Sequence, residues 1–256
     1  MNNFMKKWGL VFKVLAIVSV LLVIKRIIDI FNLDVATASP LITALVGGVI
    51  FTIAIIFTGT LTDYKESEKI PGELAASIKA LYRDSRGAHT SNEKTSSDMR
   101  SQVVGLLQVL NSNFRNNAWK LEELNPALDG IDDSINRLAE KGLAPPLVVK
   151  LRVELTNIER MSNRIKTIAE TTFIPAAYGI AELAVAAVLL VLLFVKTEPY
   201  YEGLALIGAT SSLLIGLIML IKDMDNPFEV GKNSYADVDL YLLWELEDYF
   251  KKKQEK

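Results

Sequence analysis

Glu182 is the one charged residue in the apolar run FIPAAYGIAELAVAAVLLVLLFV, Phe173 to Val195. A carboxylate near the centre of a bilayer costs on the order of 2.5–3.5 kcal/mol by insertion scales, so it must face protein or a polar cavity. Lys13, inside GLVFKVLAIVSVLLVI, and Lys25, which directly follows that run, pose the same problem with opposite sign. Pairing Glu182 with Lys13 or Lys25 would neutralise both, and is the arrangement the sequence favours. The alternative is an intramembrane charge site at Glu182, Lys13 and Lys25 that handles a proton or a cation. Other chemistry is scarce. The chain has no cysteine, so it has no disulfide, thiolate metal site or cysteine nucleophile. Its single histidine, His89, lies in a polar stretch and reads as a solvated loop residue. With no clustered histidines, serine elbow, glycine-rich phosphate loop or convergent carboxylate pair in the apolar runs, we expect no enzyme, no cofactor and no metal site.

The elements that must carry these residues follow from composition and periodicity. Half of the residues are hydrophobic and the mean hydropathy is +0.27, yet 23% are charged, which describes a membrane protein with a polar portion. Four apolar segments are long enough to be read as spans: residues 9–30, 41–61, 173–195 and 203–221. The first is the weakest, because Lys13 interrupts it and Lys25 and Arg26 follow at once. Ala36-Thr37-Ala38 resembles a signal-peptidase site, but Lys25, Arg26 and Asp29 stand between it and the apolar core. A helix running on through IKRIIDIF, with the basic residues snorkelling or facing other subunits, fits better. Four spans put both termini and the long middle segment on one side. Lys6, Lys7 and the run Lys251, Lys252, Lys253 favour the cytoplasm for that side of the cell membrane.

The middle segment, residues 62–172, has nearly balanced charge and reads as a helical cytosolic domain rather than a nucleic-acid binder. Four helices are expected in it. The first continues from the second span, kinked at Pro71, with Leu74, Ile78 and Leu81 at helical spacing. The second carries Val103, Leu106, Leu107, Leu110 and Phe114, capped by Ser97 or Asp98. The third starts at Asn125-Pro126, carries Leu128, Ile131, Ile135 and Leu138, and closes at Gly142. The fourth opens at Pro145-Pro146, follows Leu147, Leu151, Leu155, Ile158 and Ile165, and leads straight into the third span. Residues 222–256 form a turn and a C-terminal cytosolic helix. Asn226-Pro227 must break the fourth span, since proline cannot continue a helix and restricts the residue before it. Phe228 can then anchor against the cytosolic helices, and Tyr241, Trp244, Tyr249 and Phe250 give the last helix a packing face. No strand pattern and no inverted repeat are seen, the latter weighing against a secondary transporter.

This order of two spans, a helical insert, two spans and an Asn-Pro-Phe turn resembles the bestrophin family of pentameric ion channels. Two stretches carry the resemblance. Asp225-Asn226-Pro227-Phe228 looks like the family's Glu-Asn-Pro-Phe turn. DYKESEKIPGELAASIKAL aligns with the family's Arg-Trp-Trp-Glu and Trp-Gly pattern after the second span, with Tyr64, Glu66, Pro71 and Gly72 in those places. The resemblance implies an all-α fold, a homopentamer in the lipid bilayer, conduction of small inorganic ions, and a tail wrapped on an adjacent subunit through the turn at Asp225, Asn226, Pro227 and Phe228. It also places an apolar pore neck on the second span at Gly47, Phe51 and Ile55, whose i, i+4, i+8 spacing shares one helix face and would gate by dewetting. Vertebrate members bind calcium just after the turn. Here Glu229, Val230, Gly231, Lys232 and Asn233 supply one carboxylate and one cation, too few for a calcium site. The alternative to a channel is a membrane-anchored helical interaction or signalling protein without conductance.

Overall fold

The computed structural model describes residues 3–87, 92–171, 174–229 and 234–254. His89, Thr172, Phe173 and the positions Val230 to Asn233 lie outside them. The described chain is all-α apart from one two-residue parallel bridge, which the sequence did not signal. Strand β1 (Ala36–Thr37) meets β2 (Val195–Lys196), with Ala36 opposite Val195.

One compact unit comprises residues 1–64, 172–225 and 231–236. Its helices are α1 (Asn3–Ile30), α2 (Pro40–Ser67), α7 (Pro175–Phe194) and α8 (Tyr200–Asp225). At 1.5 Å per residue, the 28 residues of α2 extend about 42 Å, more than a bilayer's hydrocarbon thickness. Among the described residues, three helical runs, those containing α2, α7 and α8, are long and apolar enough to cross a membrane. Helix α1 is equally long but carries Lys13, Lys25 and Arg26. The core of this unit reads directly off helical spacing. Val49, Ile53 and Ile56 of α2 join Tyr178, Ala181, Val185 and Val188 of α7 and Ile207, Leu214 and Ile221 of α8 in one buried cluster. The α2 and α7 sets recur every three or four residues and the α8 set every seven, two full turns, the signature of a helix with one face against its neighbours.

The second unit comprises residues 65–171, 226–230 and 237–256. It holds α3 (Ile70–Gly87), α4 (Glu93–Asn116), α5 (Leu121–Glu140), α6 (Pro145–Glu170) and α9 (Tyr241–Gln254). The expected stripes form its core: Leu74, Ile78 and Leu81 of α3, Val103, Leu106, Leu107 and Leu110 of α4, and Ile131, Ile135 and Leu138 of α5 are all inaccessible. Gly142, at φ +87°, ends α5 as anticipated, in a conformation that side chains bearing a Cβ rarely adopt. Pro145 and Pro146 open α6.

Four boundaries differ from the sequence reading. Pro71 does not kink a continuous helix: α2 ends at Ser67, a turn follows, and the proline sits in the first turn of α3, where its missing N–H costs no bond. Helix α4 is capped by Asn92, whose side chain accepts from Thr95 N at 2.8 Å, because burial of Thr95, Ser96 and Met99 draws an extra turn into the helix. Helix α5 starts at Leu121 and contains Pro126, since full burial of Leu124 favours the earlier turn. Helix α6 does not lead straight into α7, because Thr171 is extended.

Candidate functional site

Helix α2 presents two opposite faces. Ile53 is fully buried, while Phe51 is 68% and Ile55 59% exposed within the chain. Gly47 is exposed on the same side, and a Cβ there would meet nothing within 4 Å. The face continues through Thr58 and Thr62, whose hydroxyls donate to Ala54 O and Thr58 O at 2.8 and 2.9 Å, satisfying themselves on their own helix. This chain's own packing therefore uses the Val49, Ile53, Ile56 face. The Gly47, Phe51, Ile55 face is left for lipid, another subunit or a pore.

The charged residues do not meet as expected. Glu182 pairs with Lys222 in the last turn of α8, not with Lys13 or Lys25. Tyr178 meets Asp225 and, one turn along each helix, Glu182 meets Lys222, so the register of α7 against α8 matches Glu182 from the end of α8 rather than from α1. Together with Tyr178 and Asp225 the pair lines an open cleft of about 340 Å³. Lys25 is only 1% exposed and is satisfied one turn away by Asp29. Lys13 lies over the Tyr235 ring, 5.0 Å from its centroid. A Cβ at Gly9 would collide with that ring, so glycine is what lets Tyr235 approach α1. The sequence pattern gave no means of choosing among these partners, because Lys222 stands outside the run that was read as the fourth span.

The Asn-Pro-Phe turn is held at both ends. In the first unit, Tyr178 Oη donates to Asp225 Oδ1 at 3.0 Å, and Thr60 Oγ1 lies 3.3 Å from the same phenol oxygen. Asp223 caps the returning chain by accepting from Tyr235 N and Ala236 N, both at 2.7 Å. In the second unit, Val238 N donates to Pro227 O at 2.8 Å, and the buried Phe228 ring sits 6.2 Å from that of Phe114. Helix α9 packs on its own chain's α3 and α4, as Tyr82 and Phe250 show with centroids 4.4 Å apart. Of its four aromatic residues only Phe250 is buried. The packing face is Leu243, Leu246, Glu247 and Phe250, and Tyr249 points outward beneath Lys253, 4.8 Å from its ring.

Glu247 escaped the sequence reading. It is buried in the second unit and accepts from Asn111 Nδ2 at 2.7 Å, Arg115 Nη2 at 2.9 Å and Lys251 Nζ at 2.8 Å. Burial by itself would raise its carboxyl. The Lys251 and Asn111 hydrogen bonds and the Arg115 charge together outweigh that and hold it below the usual carboxylate range. An acid four residues after Leu243 and three before Phe250, on one face of a helix, was the available signal. Glu66, in the last turn of α2, accepts from Arg164 Nη2 at 2.9 Å across an exposed surface. Among the described residues, no group of three or more acidic, histidine or cysteine side chains could hold a metal ion.

No family model matches the sequence, and no curated protein does. The fold, however, has close parallels among solved structures. A crystal structure described only as a membrane protein superposes with a TM-score of 0.79 at 14% identity, covering 97% of this chain and 99% of that one. A bacterial bestrophin homologue from Klebsiella pneumoniae matches with a TM-score of 0.76 at 14% identity, over 96% of this chain and 99% of its own. A point mutant of a Klebsiella pneumoniae bestrophin homologue gives 0.72 at 13%, over 97% and 99%. The chain thus has the bestrophin fold over nearly its whole length, and it is an all-α integral membrane protein.

Proposed function

We propose that the chain is one subunit of a bestrophin-like oligomeric ion channel that conducts small inorganic ions along a path lined by α2. The observation that carries this reading is the two-faced character of α2 within that fold. Its Val49, Ile53, Ile56 face is consumed by the subunit's own core, while Phe51 and Ile55 project away from it. Copies arranged around an axis would bring the Gly47, Phe51 and Ile55 faces together as stacked apolar rings. Such a constriction excludes water, and therefore ions, until it widens. Thr58 and Thr62, further along the same face, would give the path a more polar lining beyond the neck.

The same reading makes α1 a fourth span, with Lys25 neutralised by Asp29 and Lys13 held near Tyr235. The termini, the α3–α6 unit and α9 then face the cytoplasm, and the assembly is a homopentamer in the cell membrane. The Glu182 and Lys222 pair serves as a structural neutralisation rather than a transported-proton site.

The test is single-channel recording from purified full-length protein in planar bilayers under a salt gradient, comparing wild type with Phe51→Ala and Ile55→Ala. Discrete currents altered by both substitutions are expected, and the reversal potential gives the sign of the ion. Silence from protein shown to be folded and oligomeric would favour the non-conducting anchor, and currents indifferent to both substitutions would remove the neck from α2.

A further inference from the structure

From Pro40 to Thr62 helix α2 carries no charge, and its final turns then supply Asp63, Lys65 and Glu66. Where these three point around the helix decides which of them an ion moving along the Gly47, Phe51, Ile55 face would meet. At 3.6 residues per turn, or about 100° per residue, Thr58 and Thr62 lie about 20° to either side of Phe51. Lys65 lies about 40° from Phe51, at the same angle as Gly47, and Glu66 about 60° away on the other side. Asp63 lies about 120° away, beside Ile56 and Thr60 on the face that the chain buries.

Their partners separate them further. Asp63 is half-buried and already engaged within the chain. Glu66 is exposed, but Arg164 Nη2 donates to it at 2.9 Å and offsets its charge. Glu68 and Lys69, in the turn beyond, are neighbours of opposite sign. Lys65 is exposed and makes no ion pair among the described residues. The face of α2 that carries Phe51 is therefore apolar, then hydroxyl-bearing, and ends on one positive charge that nothing offsets. The partial negative charge at a helix C-terminus favours a cation anywhere in the last turn, so it accounts for the sign of Lys65 but not for its angle.

We propose that Lys65 sets the charge preference of the conduction path, which admits small inorganic anions ahead of cations. This rests on the reading of the chain as a channel subunit with α2 as the lining. Each copy then contributes one Lys65, and like charges gathered around an axis add rather than cancel; rings of lysine or arginine favour anions in this way. The ring lies about 15 Å along α2 from Ile55, at 1.5 Å per residue. Screening at physiological ionic strength acts over about 8 Å, so the ring works at the mouth of the neck and not inside it. It acts by concentration: a passage lined by one sign of charge enriches the opposite ion by about 10-fold to 1,000-fold, less as salt rises. The apolar neck decides whether water and ions pass, and the lysine ring decides which ions are waiting there.

The experiment is the reversal potential of the purified full-length protein in planar bilayers under a potassium chloride gradient. Wild type is compared with Lys65→Gln, Lys65→Glu and Lys65→Arg, and Phe51→Ala marks the path. Chloride should be preferred over potassium by at least about tenfold in wild type and in Lys65→Arg, by less than about threefold in Lys65→Gln, and potassium should be preferred in Lys65→Glu. Repeating the same gradient in about tenfold more dilute salt should sharpen the wild-type preference, because the screening length grows, and should leave that of Lys65→Gln where it was. Should Lys65→Glu fail to fold, Lys65→Gln and the salt dependence carry the test. A potassium preference in wild type, or a preference unchanged in Lys65→Gln and Lys65→Glu, overturns the role of Lys65 and leaves the channel standing. Silence from folded, oligomeric protein, or currents indifferent to Phe51→Ala, overturns the channel reading or its path along α2, and this proposal with it.

Discussion

Replacing Glu247 tests whether a buried carboxylate fastens α9 to the helical unit. In Glu247→Ala three donors lose their acceptor. Arg115 and Lys251 are more than half exposed and turn to water, so each contributes only about 0–1 kcal/mol. Asn111 is fully buried and its Oδ1 already lacks a partner. Stranding its Nδ2 costs about 1–3 kcal/mol, which makes the amide the larger part of a total near 3 kcal/mol. Glu247→Gln keeps an acceptor for Asn111 and loses only the charge, at about 1 kcal/mol. Amide hydrogen exchange of α9 reads this locally, without requiring the whole membrane protein to unfold in one step. Exchange should accelerate on the order of 100-fold in the alanine variant and about fivefold in the glutamine variant. The same carboxyl fixes a pH dependence. Its folded pKa lies below the ordinary 4.5, so its contribution is complete above that value and is lost as pH falls through the lower, folded one. The difference in unfolding temperature between wild type and Glu247→Gln should therefore be present at neutral pH and shrink in acid. Exchange rates within twofold of wild type for both variants would refute the reasoning.

Other outcomes follow from the same geometry. Ile53→Ala should destabilise the folded chain by about 2–5 kcal/mol, whereas Phe51→Ala, on the exposed face, should change the stability of the isolated subunit by less than about 0.5 kcal/mol, as thermal unfolding in detergent would show. In a double-mutant cycle, Glu182→Gln and Lys222→Met should each lower thermal stability and together recover part of the loss, with a coupling of at least about 0.5 kcal/mol; strict additivity would mean that the ion pair contributes nothing. Phe228→Ala should cost about 3–5 kcal/mol and shift Trp119 emission to longer wavelength, because it opens the aromatic cluster around Phe114 to water.

Much of this protein is local in origin and was therefore legible in the sequence. Apolar runs of bilayer length, stripes at three- and four-residue spacing, Gly142 at the end of α5, Pro145-Pro146 at the start of α6 and Pro227 after α8 are each decided by the chain's immediate covalent and steric neighbourhood. The order of these elements was enough to anticipate the bestrophin fold. The partners of charged and polar side chains were not legible, because they depend on which residues distant in sequence arrive within about 3 Å of one another. Lys13, Lys25 and Lys222 are chemically alike, and only the packing of α7 against α8 sends Glu182 to Lys222 while Asp29 takes Lys25. The aromatic residues of α9 looked like its packing face by hydrophobicity. The tertiary structure instead buries Leu243, Leu246, Glu247 and Phe250, because Asn111 and Arg115 of α4 reward a carboxylate there, while Lys79 and Lys253 lie over the outward Tyr249. A cavity of about 370 Å³ walled by Phe114, Trp119 and Phe228 is likewise a property of three chain segments meeting, and none of them alone carries a sign of it.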